Sequence, residues 1–167
     1  MLTNILYYVT VILIKIKGEI EVNYTNSGIN RFIKAQESSY QTALSEIKRG
    51  RKTSHWMWYI FPQIVGLGKS GTAVYYGIRD LNEAEEYLQN PILGERLIEI
   101  SEVLLTLQET NATAIFGSTD NKKLKSCMTL FSKVDGAPDI FSKILDKYFN
   151  GQPDNRTLYI LYGSNKN

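Results

Sequence analysis

From Ile29 onward the apolar residues of this chain recur at three- and four-residue spacings, and no convincing stretch alternates apolar with polar residues. A half-buried strand needs a period of two and an amphipathic helix a stripe near 3.6, so the pattern narrows the fold to helices packed on helices. Ile29, Phe32, Ile33, Tyr40, Ala43, Leu44 and Ile47 form the first stripe. They predict one helix of about 20 residues, capped by Gly50 after Lys48 and Arg49.

Start and stop signals divide the rest. Thr72 to Tyr76 is apolar enough for one or two turns, and Asp80-Leu81-Asn82-Glu83 reads as an N-cap with a capping-box glutamate, leading a helix to Leu88 or Gln89. Asn90-Pro91 ends it, and Leu93, Leu97, Ile100, Leu104 and Leu107 mark the buried face of a longer helix. Ala112 to Phe116 is a short helix stopped by Gly117; Ser118-Thr119-Asp120 then opens another, with Leu124, Cys127, Met128, Phe131 and Val134 facing inward. Pro138-Asp139 and Pro153-Asp154 begin the last two. The expected fold is all-α, an irregular single-domain bundle of about six to eight helices of unequal length.

Composition limits the function classes. Hydrophobic content of 43% with 22% charged residues over 167 residues suits one globular domain with a proper core. A net charge of +2 leaves no whole-chain footprint for specific nucleic-acid binding. Cys127 is the single cysteine, so an internal disulfide and a cysteine zinc site are excluded, and a cytoplasmic setting with a buried structural thiol is expected. No cofactor or metal is expected. Residues 1–22 differ in pattern from the remainder of the chain: the apolar run Ile5 to Ile14 falls short of the roughly 18 residues that span a bilayer, so no transmembrane segment is expected. They read as an N-terminal extension, either an appendage or translation from upstream of the natural start, with the helical domain over residues 23–167.

Candidate chemistry gathers at Ser54-His55-Trp56-Met57-Trp58-Tyr59-Ile60-Phe61-Pro62-Gln63, which holds the chain's one histidine and both tryptophans. His55 is the residue type suited to proton transfer near neutral pH, although a buried histidine bonded to a backbone carbonyl has the same sequence. Trp56 and Trp58 diverge by roughly 200° if the segment is helical. At least one belongs in the core, its N–H needing an acceptor such as Gln63. Gly66, Gly68, Lys69, Ser70 and Thr72 form a glycine-rich turn that could show backbone N–H groups to an anion; a true phosphate loop is excluded because its first glycine falls on Gln63. Arg49, Arg51, Lys52, Ser54, His55, Lys69 and Ser70 could together bind a phosphate or carboxylate while an aromatic residue stacks on a ring, yet basic residues at a helix end are usually just solvated. Asp120, Lys123 and Ser126 share one helix face, and Lys122, Lys123 and Lys125 crowd the end of that helix where the macrodipole disfavours cations.

His55-Trp56-Met57-Trp58-Tyr59-Ile60-Phe61-Pro62-Gln63 together with Gly66-Leu67-Gly68-Lys69-Ser70 resembles the signature of an uncharacterised family, domain of unknown function 1810 (DUF1810). The resemblance continues through Pro91-Ile92-Leu93-Gly94, Ile115-Phe116-Gly117-Ser118, Met128-Thr129-Leu130-Phe131, Pro153-Asp154 and Arg156-Thr157-Leu158. It implies a mainly α-helical domain and no activity.

The sequence supports two functions from different classes. The first is a small-molecule-binding protein or small enzyme for an anionic ligand, with His55, Asp120 and Lys123 as candidate catalytic groups and Trp58, Gln63, Gly68, Lys69, Ser70 and Ser126 as candidate binding residues. The alternative is a helical protein-interaction module without catalytic activity, in which the aromatic residues are core. The two part company on whether His55, Lys69, Asp120 and Lys123 converge on one accessible cavity, and the aromatic segment serves a function only if the helix beginning near Asp120 packs across it.

Overall fold

The stripe from Ile29 to Ile47 keeps one apolar face, yet it forms two helices, α1 (Asn30–Glu37) and α2 (Tyr40–Lys48), in place of the single one expected. Ser39 Oγ donates to the Ala35 carbonyl, so a side chain takes up an end-of-helix acceptor and the chain re-aims before α2. This computed structural model describes residues 28–163; the expected extension over residues 1–22 lies outside them. Beyond α2 come α3 (Met57–Ile60), α4 (Gly71–Tyr75), α5 (Leu81–Gln89), α6 (Leu93–Thr106), α7 (Ala112–Phe131), α8 (Ile140–Phe149) and α9 (Asn155–Tyr162). No strand occurs among the described residues. One parallel bridge joins Ile64 to Ile78 and closes the base of the loop carrying the glycine-rich turn and α4.

Helix ends obey the expected signals with one change of partner. Gly50 N–H bonds Ile47 O at 2.8 Å and Arg51 N–H bonds Glu46 O at 3.1 Å, which is a Schellman motif ending α2. Asp80 accepts from the Glu83 N–H at 2.9 Å, as an N-cap should. Glu83 does not complete the capping box. Its buried carboxylate accepts from the Arg79 N–H at 2.7 Å and pairs with Arg31 at 2.8 Å, one residue short of the reciprocal bond. Gly117, at φ 79° and ψ 172°, divides α7 into the two helical pieces expected, in backbone space that is almost glycine's alone.

The core runs through α7. It packs against α8, α9, α5 and α3, while α6 packs on α8, α2 and α5. Phe32, Tyr87, Phe131 and Phe141 form a chain of rings with successive centroids 5.1, 5.4 and 5.7 Å apart. A second group joins Trp56, Phe61 and Phe116, the last just before the Gly117 break, with centroids 5.9 to 6.5 Å apart. That second group fixes the aromatic segment on α7 and so sets the position of Trp58 and its neighbours.

Candidate functional site

The segment entering α3 is held from below by a carboxylate. Glu46, in the last turn of α2, accepts from the Thr53 N–H and Thr53 Oγ1 at 2.8 Å each, from the Ser54 N–H at 3.0 Å, from Ser54 Oγ, and from Trp56 Nε1 at 2.8 Å. Burial would raise this carboxyl, but the donors from Ser54 and Thr53 outweigh it and bring it from 4.5 down to about 2. Trp56 is 1% exposed and its indole N–H is met by Glu46, not by Gln63 as expected. Gln63 instead donates its amide nitrogen to the Phe61 carbonyl.

The Asp120 end of α7 does pack across this segment. Lys52 Nζ lies 2.8 Å from Asp120 Oδ2 and Lys123 Nζ lies 2.9 Å from Asp120 Oδ1, the three side chains being 8%, 24% and 17% exposed for Lys52, Lys123 and Asp120. Burial would raise the Asp120 carboxyl; the hydrogen bonds and charges of Lys52 and Lys123 together hold it below its ordinary value. The same Lys123 ammonium stands 4.2 Å from the centre of the Trp58 ring. Asp120 therefore meets Lys52, while His55 is exposed and makes no pair with it.

Beside that contact opens a cavity of about 360 Å³, lined by Trp58, Gln63, Leu67, Gly68 and Ala73 on one part of the chain and by Lys122, Lys123, Lys125, Ser126, Asp154 and Arg156 on another. Of the residues singled out from sequence, Trp58, Gln63, Gly68, Lys123 and Ser126 come together here, and Asp120 touches the cavity through Lys123. His55, Lys69 and Ser70 do not line it. Ser70 caps α4, accepting from the Ala73 N–H at 3.2 Å, and Ser126 donates to the Lys122 carbonyl at 3.0 Å within its own helix. Gly68 lines the cavity because a Cβ there would stand 2.6 Å from the Ala73 Cβ, so the turn could not lie this close to α4 with any side chain.

Charge in the lining is one-sided. Asp154 is its one acid and is engaged as the N-cap of α9, accepting from the Thr157 N–H at 2.8 Å and Thr157 Oγ1 at 2.7 Å. Four cationic residues share the lining, with the Lys123 ammonium paired to Asp120 and the Lys125 ammonium 5.8 Å from the centre of the Phe149 ring. Arg156 and Asp154 were invisible as site residues because only packing of α9 brings them beside α7. Lys122 and Lys125 carried a signal in their position at the wrong end of a helix. Glu46 carried the mirror signal, a carboxylate in the last turn of α2 on the apolar face next to Ala43 and Ile47. Cys127 is fully buried, and burial pushes its thiol well above the usual range, away from the reactive thiolate. No group of three metal-ligating side chains occurs among the described residues. None of their helices is long and apolar enough to cross a membrane.

Residues 26–161 match the family model described as DUF1810, protein of unknown function. No curated protein matches the chain. Among solved structures the chain is similar to the conserved hypothetical protein Rv1873 from Mycobacterium tuberculosis, determined at 1.38 Å. The two are 44% identical with a TM-score of 0.78, over 80% of this chain and 95% of that one. The chain belongs to the DUF1810 family.

Proposed function

We propose that this protein binds a small anionic molecule in the cavity between Trp58 and the lysine-bearing face of α7. The observation that carries the reading is the lining: Lys122, Lys123, Lys125 and Arg156 come to it from two helices, its one acid, Asp154, is already hydrogen-bonded to Thr157, and the neighbouring Asp120 is shared between Lys123 and Lys52. Clustered cations that merely solvate a surface gain nothing from facing one another, whereas an anion among them gains charge-assisted hydrogen bonds. The volume falls at the lower end of small-molecule pockets. Lys123 is the pivotal group, since it touches Asp120, Trp58 and the cavity at once. A cytoplasmic setting belongs to the same proposal and rests on the one buried cysteine. The alternative of an interaction module draws on the exposed Tyr159, Ile160 and Tyr162 of α9, none of which lines this cavity.

A thermal-shift series with phosphate, citrate, sugar phosphates and nucleotides tests the reading. A ligand at 100 times its dissociation constant stabilises the fold by about 2.7 kcal/mol. At least one anion should raise the melting temperature of the parent and lose that effect with Lys123→Ala, while Tyr159→Ala leaves it intact. If no anion shifts the parent, or if Lys123→Ala responds as the parent does, the cavity is not the site.

A further inference from the structure

The lining combines two chemistries that a bare anion does not need. Besides its cations it contains the half-buried indole of Trp58, the aliphatic Leu67 and Ala73, and the amide of Gln63. Trp56 Nε1 is bonded to Glu46, whereas Trp58 Nε1 has no hydrogen-bond partner among the described residues, so Trp58 is not there to satisfy a core network. Its ring is covered by the Lys123 ammonium, which in the same position lies 2.9 Å from Asp120 Oδ1. A flat ligand group that displaces this partly exposed lysine from the indole face therefore removes one of its two contacts and need not disturb the ion pair. Gln63 has its nitrogen committed to the Phe61 carbonyl, which leaves its Oε1 as an acceptor for a ring N–H or amino group. A cavity of about 360 Å³ also far exceeds what inorganic phosphate or a simple carboxylate would fill.

Resting on the anion-binding reading above, we infer that the ligand is a phosphorylated compound bearing a flat heteroaromatic ring, of the size and kind of a nucleoside monophosphate. Its ring stacks on Trp58 and its phosphoryl oxygens are held by Lys123 with Lys122, Lys125 and Arg156. The lysines and arginine match a dianion better than a single carboxylate does. Stacking on Trp58 adds affinity that a ringless phosphate cannot reach, by roughly tenfold or more.

Calorimetric titration of the full chain with adenosine 5′-monophosphate, ribose 5-phosphate and adenosine separates the two contributions. Adenosine monophosphate should bind at least about tenfold tighter than ribose 5-phosphate. Trp58→Leu should bring the two to equal affinity, Trp58→Tyr should keep most of the difference, and adenosine alone should bind weakly or not at all. Circular dichroism melts confirm that each variant is folded, and Trp58→Tyr preserves the test should the leucine variant fail to fold. Equal binding of the two phosphates by the parent, or a difference that survives in Trp58→Leu, overturns the ring inference and leaves the anion reading standing. Failure of both phosphates to bind overturns the ring inference too, and the anion reading then stands or falls on the wider thermal-shift series.

Discussion

Trp56 and Trp58 are separated by one residue and lead opposite lives. Trp56 is buried against Phe61 and Phe116 with its N–H on Glu46; Trp58, within the single turn of α3, is half-exposed on a cavity with a lysine over its ring. In a helical turn neighbours two apart point roughly 200° from each other, so one segment can anchor on one side and present a surface on the other. The difference separates what holds the site from what the site offers. Glu46, Trp56 and Phe116 form the rigid side, and Trp58, Lys123 and Gln63 form the side a ligand would meet.

The largest effect expected is on the anchoring side. Glu46→Ala leaves the Thr53 and Ser54 N–H groups and the Trp56 indole without their acceptor, and should destabilise the protein by more than about 3 kcal/mol in urea unfolding. Trp56→Ala should cost about 3–5 kcal/mol through the cavity it leaves. If either variant melts like the parent, the anchor is misidentified.

Acid should break the same side. Because the Glu46 carboxyl is lowered on folding, its stabilisation is full above about pH 4.5 and is lost as pH falls toward 2. Asp120, also lowered, adds in the same direction, its contribution being present above its ordinary 3.8 and fading as pH drops below that value. Stability should thus fall with acid over that window, and Glu46→Gln should flatten the curve when melting temperature is tracked against pH. An equally steep curve in the glutamine variant would rule out Glu46 as the source of the acid sensitivity.

Gly117 stands between the two sides, with Phe116 on the Trp56 side and Asp120 and Lys123 serving Trp58. Gly117→Ala meets no neighbouring atom, so its penalty of about 1–3 kcal/mol comes from the backbone alone. Chemical denaturation reads it; a neutral result would mean the break can be straightened without strain.

The smallest stability change is expected at Trp58. Trp58→Ala removes one cation–π contact and partial burial, a loss of about 1 kcal/mol, but should lower affinity for adenosine 5′-monophosphate much more than any of the anchoring variants that remain folded. Melting and calorimetry on the same samples check both halves of that statement.

How far these roles could be seen in advance depended on how local their causes are. The caps at Gly50, Asp80 and Asp154 and the stop at Gly117 act within a few residues, and they lie where the expected helix boundaries put them. The break at Ser38 and Ser39 escaped because the apolar face continues through it, so periodicity alone could not divide α1 from α2. Glu46 is a charged residue on an inward face, and only the donors arriving from the next segment explain it. Arg156 reaches the cavity through the docking of α9 on α7, a contact between residues far apart in sequence. Lys122, Lys123 and Lys125 are legible in the sequence as an anomaly, three cations near a helix start, and the structure places all three in the lining of one cavity.

The two indole N–H signals of this two-tryptophan chain test the division between anchor and lining most directly, by proton–nitrogen correlation NMR with adenosine 5′-monophosphate as titrant. The Trp56 signal should exchange slowly with solvent and hold its position, while the Trp58 signal should exchange fast and move in proportion to saturation. A titration that moves Trp56 as much as Trp58, or leaves both unmoved at saturating concentrations, would contradict that division.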